Sequence, residues 1–135
     1  MKVIKFEDSY TTSLSEIEQF EKEFSIKFPN DYKNFILQNG SGYILSEYKI
    51  INIELGEFYI REILTLTELG KSFGYFLNDI AHKEGIIGIG VTHAPISICM
   101  GFVANDYYGK VYLFGWDEGL ILQANSFQEF INSFR

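Results

Sequence analysis

Ile26-Lys27-Phe28-Pro29-Asn30-Asp31-Tyr32 is the stretch that decides the fold, because it reads as a joint between two helices. Phe28 is the apolar residue that enters the core. Pro29 opens a helix, since its missing N–H would be unpaired in the first turn anyway. Asp31 places a negative charge at the positive helix start. Tyr32 begins a face that Phe35, Ile36 and Asn39 continue at helical spacing, and Asn39-Gly40 supplies the stop. Upstream, Ser13-Leu14-Ser15-Glu16 is a capping box, in which the hydroxyl takes a free backbone N–H and the Glu reaches back to the cap. Leu14, Ile17, Phe20 and Phe24 then form one apolar stripe. Glu16, Glu18, Glu21, Lys22 and Glu23 cover the rest of that helix.

Downstream the pattern shifts. From Gly42 to Leu66 it reads as strands and turns, with β-branched Ile50, Ile51, Ile53 and Ile60 and a turn at Glu54-Leu55-Gly56-Glu57. Thr65-Leu66-Thr67-Glu68 is a second capping box. Leu69, Phe73, Phe76, Leu77 and Ile80 follow at helical spacing, His82 and Lys83 suit the negative helix end, and Gly85 stops it. Gly70 and Gly74 inside this helix predict close approach of another element. Ile86 to Val91, Ile96 to Val103 and Lys110 to Trp116 read as strands, with Asn105-Asp106-Tyr107-Tyr108-Gly109 turning between the last two. Ser126-Phe127-Gln128-Glu129 is a third capping box, and Phe127, Phe130, Ile131 and Phe134 give the last helix its buried face. The expectation is α+β: one domain over residues 1–135, a helix pair and a C-terminal helix packed on an antiparallel-rich sheet of about five or six strands.

Composition narrows the function. Of 135 residues, 47% are hydrophobic and 17% aromatic, enough for a real core. The 13 Phe and 9 Tyr exceed what such a core holds, so some are expected at partner surfaces. The net charge of −7 disfavours direct contact with nucleic acid or an anionic membrane and favours a basic protein partner. A single cysteine, Cys99, rules out an internal disulfide and fits a reducing cytosol. Met1 to Asp8 lacks the apolar run of a signal peptide, and no stretch reaches the roughly 18 apolar residues of a membrane span. A cytoplasmic protein is expected.

No local motif demands catalysis. His82, His93 and Cys99 lack metal-ligand spacing. Gly88-Ile89-Gly90 begins like a phosphate-binding loop, but Val91-Thr92-His93 follows in place of the third glycine. Such glycines within a strand more often permit a bulge or close packing. Cys99, in Ile98-Cys99-Met100, reads as an inert buried thiol rather than a partner of His93. Asp117-Glu118 is the one adjacent acidic pair of the sheet region, and its turn context makes an exposed tip. No cofactor or metal is expected, and no feature specifies an oligomeric state. A small enzyme with dispersed groups is the remaining catalytic reading.

Three stretches together resemble the SUKH superfamily, the bacterial toxin-immunity proteins and fungal cell-wall-synthesis regulators of the Smi/Knr type. The first runs from Glu16 through the Phe28-Pro29-Asn30-Asp31-Tyr32 joint to Asn39-Gly40-Ser41-Gly42. The second is Ile87-Gly88-Ile89-Gly90, similar to the central strand. The third is Gly109 to Asp117 followed by Ala124 to Ile131, with its Ser-Phe-x-Glu-Phe pattern. Gly42 follows Ser41 where two glycines are common in the family, and Gly56 to Glu84 carries no recognisable family pattern. The resemblance implies a binding protein without a cofactor: an immunity protein that neutralises a cognate toxin, often a nuclease, or alternatively a regulatory scaffold.

Partner-binding candidates are the turn residues that combine an acid with an aromatic. They are Asp106, Tyr107 and Tyr108; Trp116, Asp117 and Glu118; and, more weakly, Glu47 with Tyr48 and Glu57 with Phe58. Tyr and Trp bury large area with few rotors, and the acids match a basic surface. The ordinary alternative for each is a core-capping aromatic or a solvated turn acid.

Overall fold

The computed structural model describes residues 4–73 and 84–135. In chain order the elements are β1 (Phe6–Tyr10), α1 (Leu14–Phe24), α2 (Asn30–Asn39), β2 (Ser41–Ile44), β3 (Lys49–Asn52), β4 (Gly56–Ile63), α3 (Leu66–Phe73), β5 (Ile86–Thr92), β6 (Ser97–Gly101), β7 (Val111–Gly115), β8 (Gly119–Ala124) and α4 (Phe127–Asn132). The fold is α+β. The antiparallel sheet has eight strands among the described residues, more than the sequence suggested, in the order β1-β2-β4-β5-β6-β7-β8 with β3 also paired to β4. The two strands missed by sequence are β1 and β8.

All three N-cap hydroxyls anticipated from sequence stand at helix starts, and α1 makes the full reciprocal box. In α1 the Ser13 hydroxyl accepts from the Glu16 N–H while the Ser13 N–H donates to Glu16 Oε1 at 3.1 Å. Thr65 Oγ1 accepts from Glu68 N at 3.3 Å, and Ser126 Oγ from Glu129 N at 3.1 Å. Pro29 is the N-cap of α2 rather than its first helical residue, with an extended ψ of 140°. Leu14, assigned to the apolar stripe, is exposed, whereas Ile17 and Phe20 are buried. The turn expected at Glu54–Glu57 centres on residues 53–55, and Gly56 begins β4. Phe76, Leu77, Ile80, Gly74, His82 and Lys83 lie outside the described residues.

The Phe28–Tyr32 joint is held from several sides. Glu21 Oε2 accepts from the Phe28 N–H at 2.7 Å. Asp31 does more than suit its own helix: Oδ1 accepts from Tyr32 N at 2.8 Å, and Oδ2 accepts from Gln128 N at 2.9 Å in the first turn of α4. One carboxylate thus satisfies free N–H groups at two helix starts. Tyr32 is buried in a ring cluster, with centroids 5.2 Å from Phe28 and 5.0 Å from Phe127. Phe35 lies 5.2 Å from Phe127 in the same cluster.

The main core packs these helices on one sheet face, here the inner face, through Ile50, Ile60, Ile63, Ile89, Ile98 and Leu113. A Cβ at Gly70 would meet the Phe20 ring at 3.6 Å and the Phe24 ring at 3.7 Å, ordinary contact distances, so the approach of α3 to α1 does not require a glycine there, contrary to the expectation from sequence. The glycines of β5 bear out the packing reading. The register shifts between Gly88 and Gly90, and a Cβ on Gly90 would stand 2.7 Å from the Glu62 carbonyl oxygen.

Candidate partner-binding surface

Antiparallel partners directly opposite share a sheet face. The register therefore places one residue from each of seven strands in a single row on the outer face, opposite the main core. In order these are Glu7, Tyr43, Glu62, Val91, Ser97, Phe114 and Leu120. Phe114 and Tyr112, two residues apart on β7, form a second cluster there with Ile86 and Cys99, which Tyr107 and Leu120 flank.

Trp116 continues this ridge past the end of β7. Its ring meets Phe114 edge-on at 5.2 Å, yet 76% of the residue is exposed. Tyr107 extends the ridge at the other end, 6.1 Å from Tyr112. Burial, and then Tyr107, raise the Tyr112 phenol above its ordinary ionisation. Asp117 and Glu118 are exposed on the tight turn between β7 and β8, as the sequence suggested. That hairpin sets an aromatic beside two carboxylates on a rigid two-stranded support.

The other candidates go elsewhere. Tyr108 parts from Tyr107 and turns to the helix joint, where its hydroxyl donates to the Lys27 carbonyl at 2.9 Å. Partial burial, followed by the charges of Glu21 and Asp31, raises its ionisation. Gly109 beside it packs on Pro29, where a Cβ would lie 3.6 Å away. Asp106 is exposed in the same loop. Tyr48 is half-buried with its ring 5.7 Å from Phe134. Glu57 pairs with Lys49 at 3.5 Å, which offsets its charge. Glu47 is exposed and shares a surface groove of about 290 Å³ with exposed His93. Cys99 is fully buried in β6, and burial raises its thiol well above the ordinary range, which keeps it protonated and unreactive. No group of three or more His, Cys, Asp or Glu that could hold a metal occurs among the described residues.

Sequence reasoning passed over the other end of the row. Glu62 sits on β4 with a side chain only 6% exposed, facing a groove of about 440 Å³ that Tyr10, Tyr43, Glu16 and Glu68 also line. Among the described residues, no Lys or Arg lines this groove. Arg61 reaches Glu62 Oε1 at 3.2 Å from the side, because the register shift between Ile60 and Glu62 turns two successive residues the same way. Glu16 and Glu68 are engaged at their own helix caps. Exposed Tyr10 and Tyr43, 59% and 53%, stand at the groove mouth. The only sequence sign of this end was the pair of adjacent strand residues Arg61-Glu62, which gives no hint of the shift. The outer face thus runs from an acidic, tyrosine-rimmed groove to an aromatic ridge with an acidic tip. Such a face offers carboxylates for charge pairing and aromatics for buried area.

No helix among the described residues is long and apolar enough to cross a membrane. No curated protein is similar enough to count as a match. A family model described as SMI1 / KNR4 family (SUKH-1) matches residues 11–133, taking in every described element except β1. With the joint, the central strand and the closing hairpin and helix in place, the chain belongs to the SMI1/KNR4 family (SUKH-1), a membership that supports an immunity or regulatory role.

Proposed function

We propose that this chain is a cytoplasmic immunity protein that neutralises a cognate toxin, a nuclease with a basic cleft, by direct contact through the outer sheet face. The observation that carries this reading is that both ends of that face combine acids with aromatics, Glu62 with Tyr43 at one and Trp116 with Asp117 at the other. Family membership and the charge of −7 support it. A nuclease concentrates positive charge where nucleic acid binds, so an acidic partner is steered to that cleft and held there by charge pairs. The protein performs no chemistry in this role: it excludes the toxin's substrate.

The test is co-expression with a candidate toxin encoded in the neighbouring gene. Growth should be restored, and the two proteins should co-purify as a stable complex. Restored growth without a complex would remove direct neutralisation. In that complex, Asp117→Lys combined with Glu118→Lys should slow association about tenfold at low salt and much less at high salt, because steering is screened over a Debye length of about 10 Å at 0.1 M. An unchanged on-rate at low salt would take the hairpin tip out of the interface.

A further inference from the structure

Between β3 and β8 the sheet has a seam. β3 and β8 are edge strands, yet they face each other: Asn52 Nδ2 donates to Gln123 Oε1 at 2.9 Å and Gln123 Nε2 donates to the Ile51 carbonyl at 3.1 Å. These side-chain bonds are the hydrogen bonds joining the two strands among the described residues. No backbone bond joins them, so the gap exceeds one strand spacing, about 4.8 Å.

The backbone groups along this edge of β3 can be followed. Ile60 N donates to the Tyr48 carbonyl, so Tyr48, Ile50 and Asn52 turn their backbone groups to β4. Lys49 and Ile51 turn theirs to the seam. Lys49 already has a strand-like partner there: its N–H donates to the Arg135 carbonyl at 2.8 Å, and Arg135 N donates back at 2.9 Å. The next outward residue, Ile51, offers its carbonyl only to the Gln123 side chain, and its N–H has no partner among the described residues. The side chains bordering the seam are apolar and open. Ile51 is 41% exposed, Leu122 48%, and Ile53 fully so. Natural sheet edges are usually blunted by lysine, proline or an inward charge. Neutral Asn52 stands between Ile51 and Ile53, and Glu54 lies at the end of the groove, which measures about 400 Å³.

We propose that this seam receives an extended segment of a partner protein, added as a strand alongside β3 where the pairing with Arg135 leaves off. The Gln123 carboxamide swings away, an N–H of the incoming segment takes the Ile51 carbonyl, and a carbonyl of that segment accepts the Ile51 N–H. The segment that fits carries β-branched side chains at alternate positions to cover Ile51, Ile53 and Leu122. It carries a Lys or Arg near one end for Glu54 and has no proline at the pairing positions. This site does not depend on the toxin reading, because it uses the edge of β3 rather than the residues from Glu62 to Trp116 and Asp117.

The test is a phage-displayed library of linear seven-residue peptides panned on the purified chain. Enriched peptides should be rich in Val and Ile with a basic residue near one end. The best of them, made synthetically, should slow hydrogen exchange of the Ile51 amide. The Ile51→Lys, Ile53→Lys double variant, whose folding is checked by circular dichroism, should bind it at least tenfold more weakly. Failure to enrich any peptide, or equal binding to both proteins, would overturn the proposal. So would peptides that depend on Trp116 instead, since they would belong to the outer face. A wild-type dimer that the double variant dissociates would also overturn it, by showing that a second copy fills the seam.

Discussion

Phe127→Ala is expected to lower the unfolding free energy by about 3–5 kcal/mol, the usual cost of emptying a buried phenylalanine site. Phe127 is fully buried at the start of α4 and meets Tyr32, Phe35 and Phe130 at ring centroid distances of 5.0, 5.2 and 6.1 Å. Neighbours so tightly locked cannot collapse into the space, so the cavity persists. For a domain whose whole stability is about 5–15 kcal/mol, this approaches the unfolding threshold. Urea denaturation reads it as a lower midpoint at unchanged slope. Phe127→Leu should cost far less, about 1.5 kcal/mol or below, because most of the volume is kept. Equal losses for the two variants would show that the ring cluster is not what holds α4 to α2.

The second large effect concerns binding. Trp116→Ala should weaken the complex with the cognate toxin by about thirtyfold, equivalent to about 2 kcal/mol at an anchor residue. Trp116 is 76% exposed and touches the fold through Phe114, so its own contribution to stability is small, within about 0.5 kcal/mol. Titration calorimetry on wild type and variant, with matched urea midpoints, separates the two quantities. An unchanged affinity would show that the ridge of β7 lies outside the interface.

How much of this was legible in the sequence depends on the range of the interaction involved. The helix starts are local: Ser13 with Glu16, Thr65 with Glu68 and Ser126 with Glu129 lie three residues apart and sit where expected. β1 escaped notice because only Phe6 of its five residues is buried, so it lacks alternation. β8 escaped because Leu120, Ile121 and Leu122 are all partly or largely exposed at an edge, where both faces accept apolar residues. The site followed the same division. The hairpin tip Trp116-Asp117-Glu118 was readable as a turn. The row through Glu62 was not, since it is fixed by the pairing of strands distant in sequence and by a register shift at Arg61. Asp31 shows the intermediate case. Its type suits its own helix start, but its bond to Gln128 joins residues 97 positions apart.

The bond from the Tyr108 hydroxyl to the Lys27 carbonyl carries a kinetic consequence. Together with Gly109 against Pro29, it lashes the loop before β7 to the helix joint. A loop pinned there, and tied again where Asn105 Nδ2 donates to the Glu84 carbonyl, has little freedom left to surrender when a partner arrives, so its ordering cost has already been met during folding. Encounter with a partner at that loop should then proceed in one exponential phase, with no slower rearrangement behind it. Cutting the tether with Tyr108→Phe would introduce the lag that the intact molecule lacks.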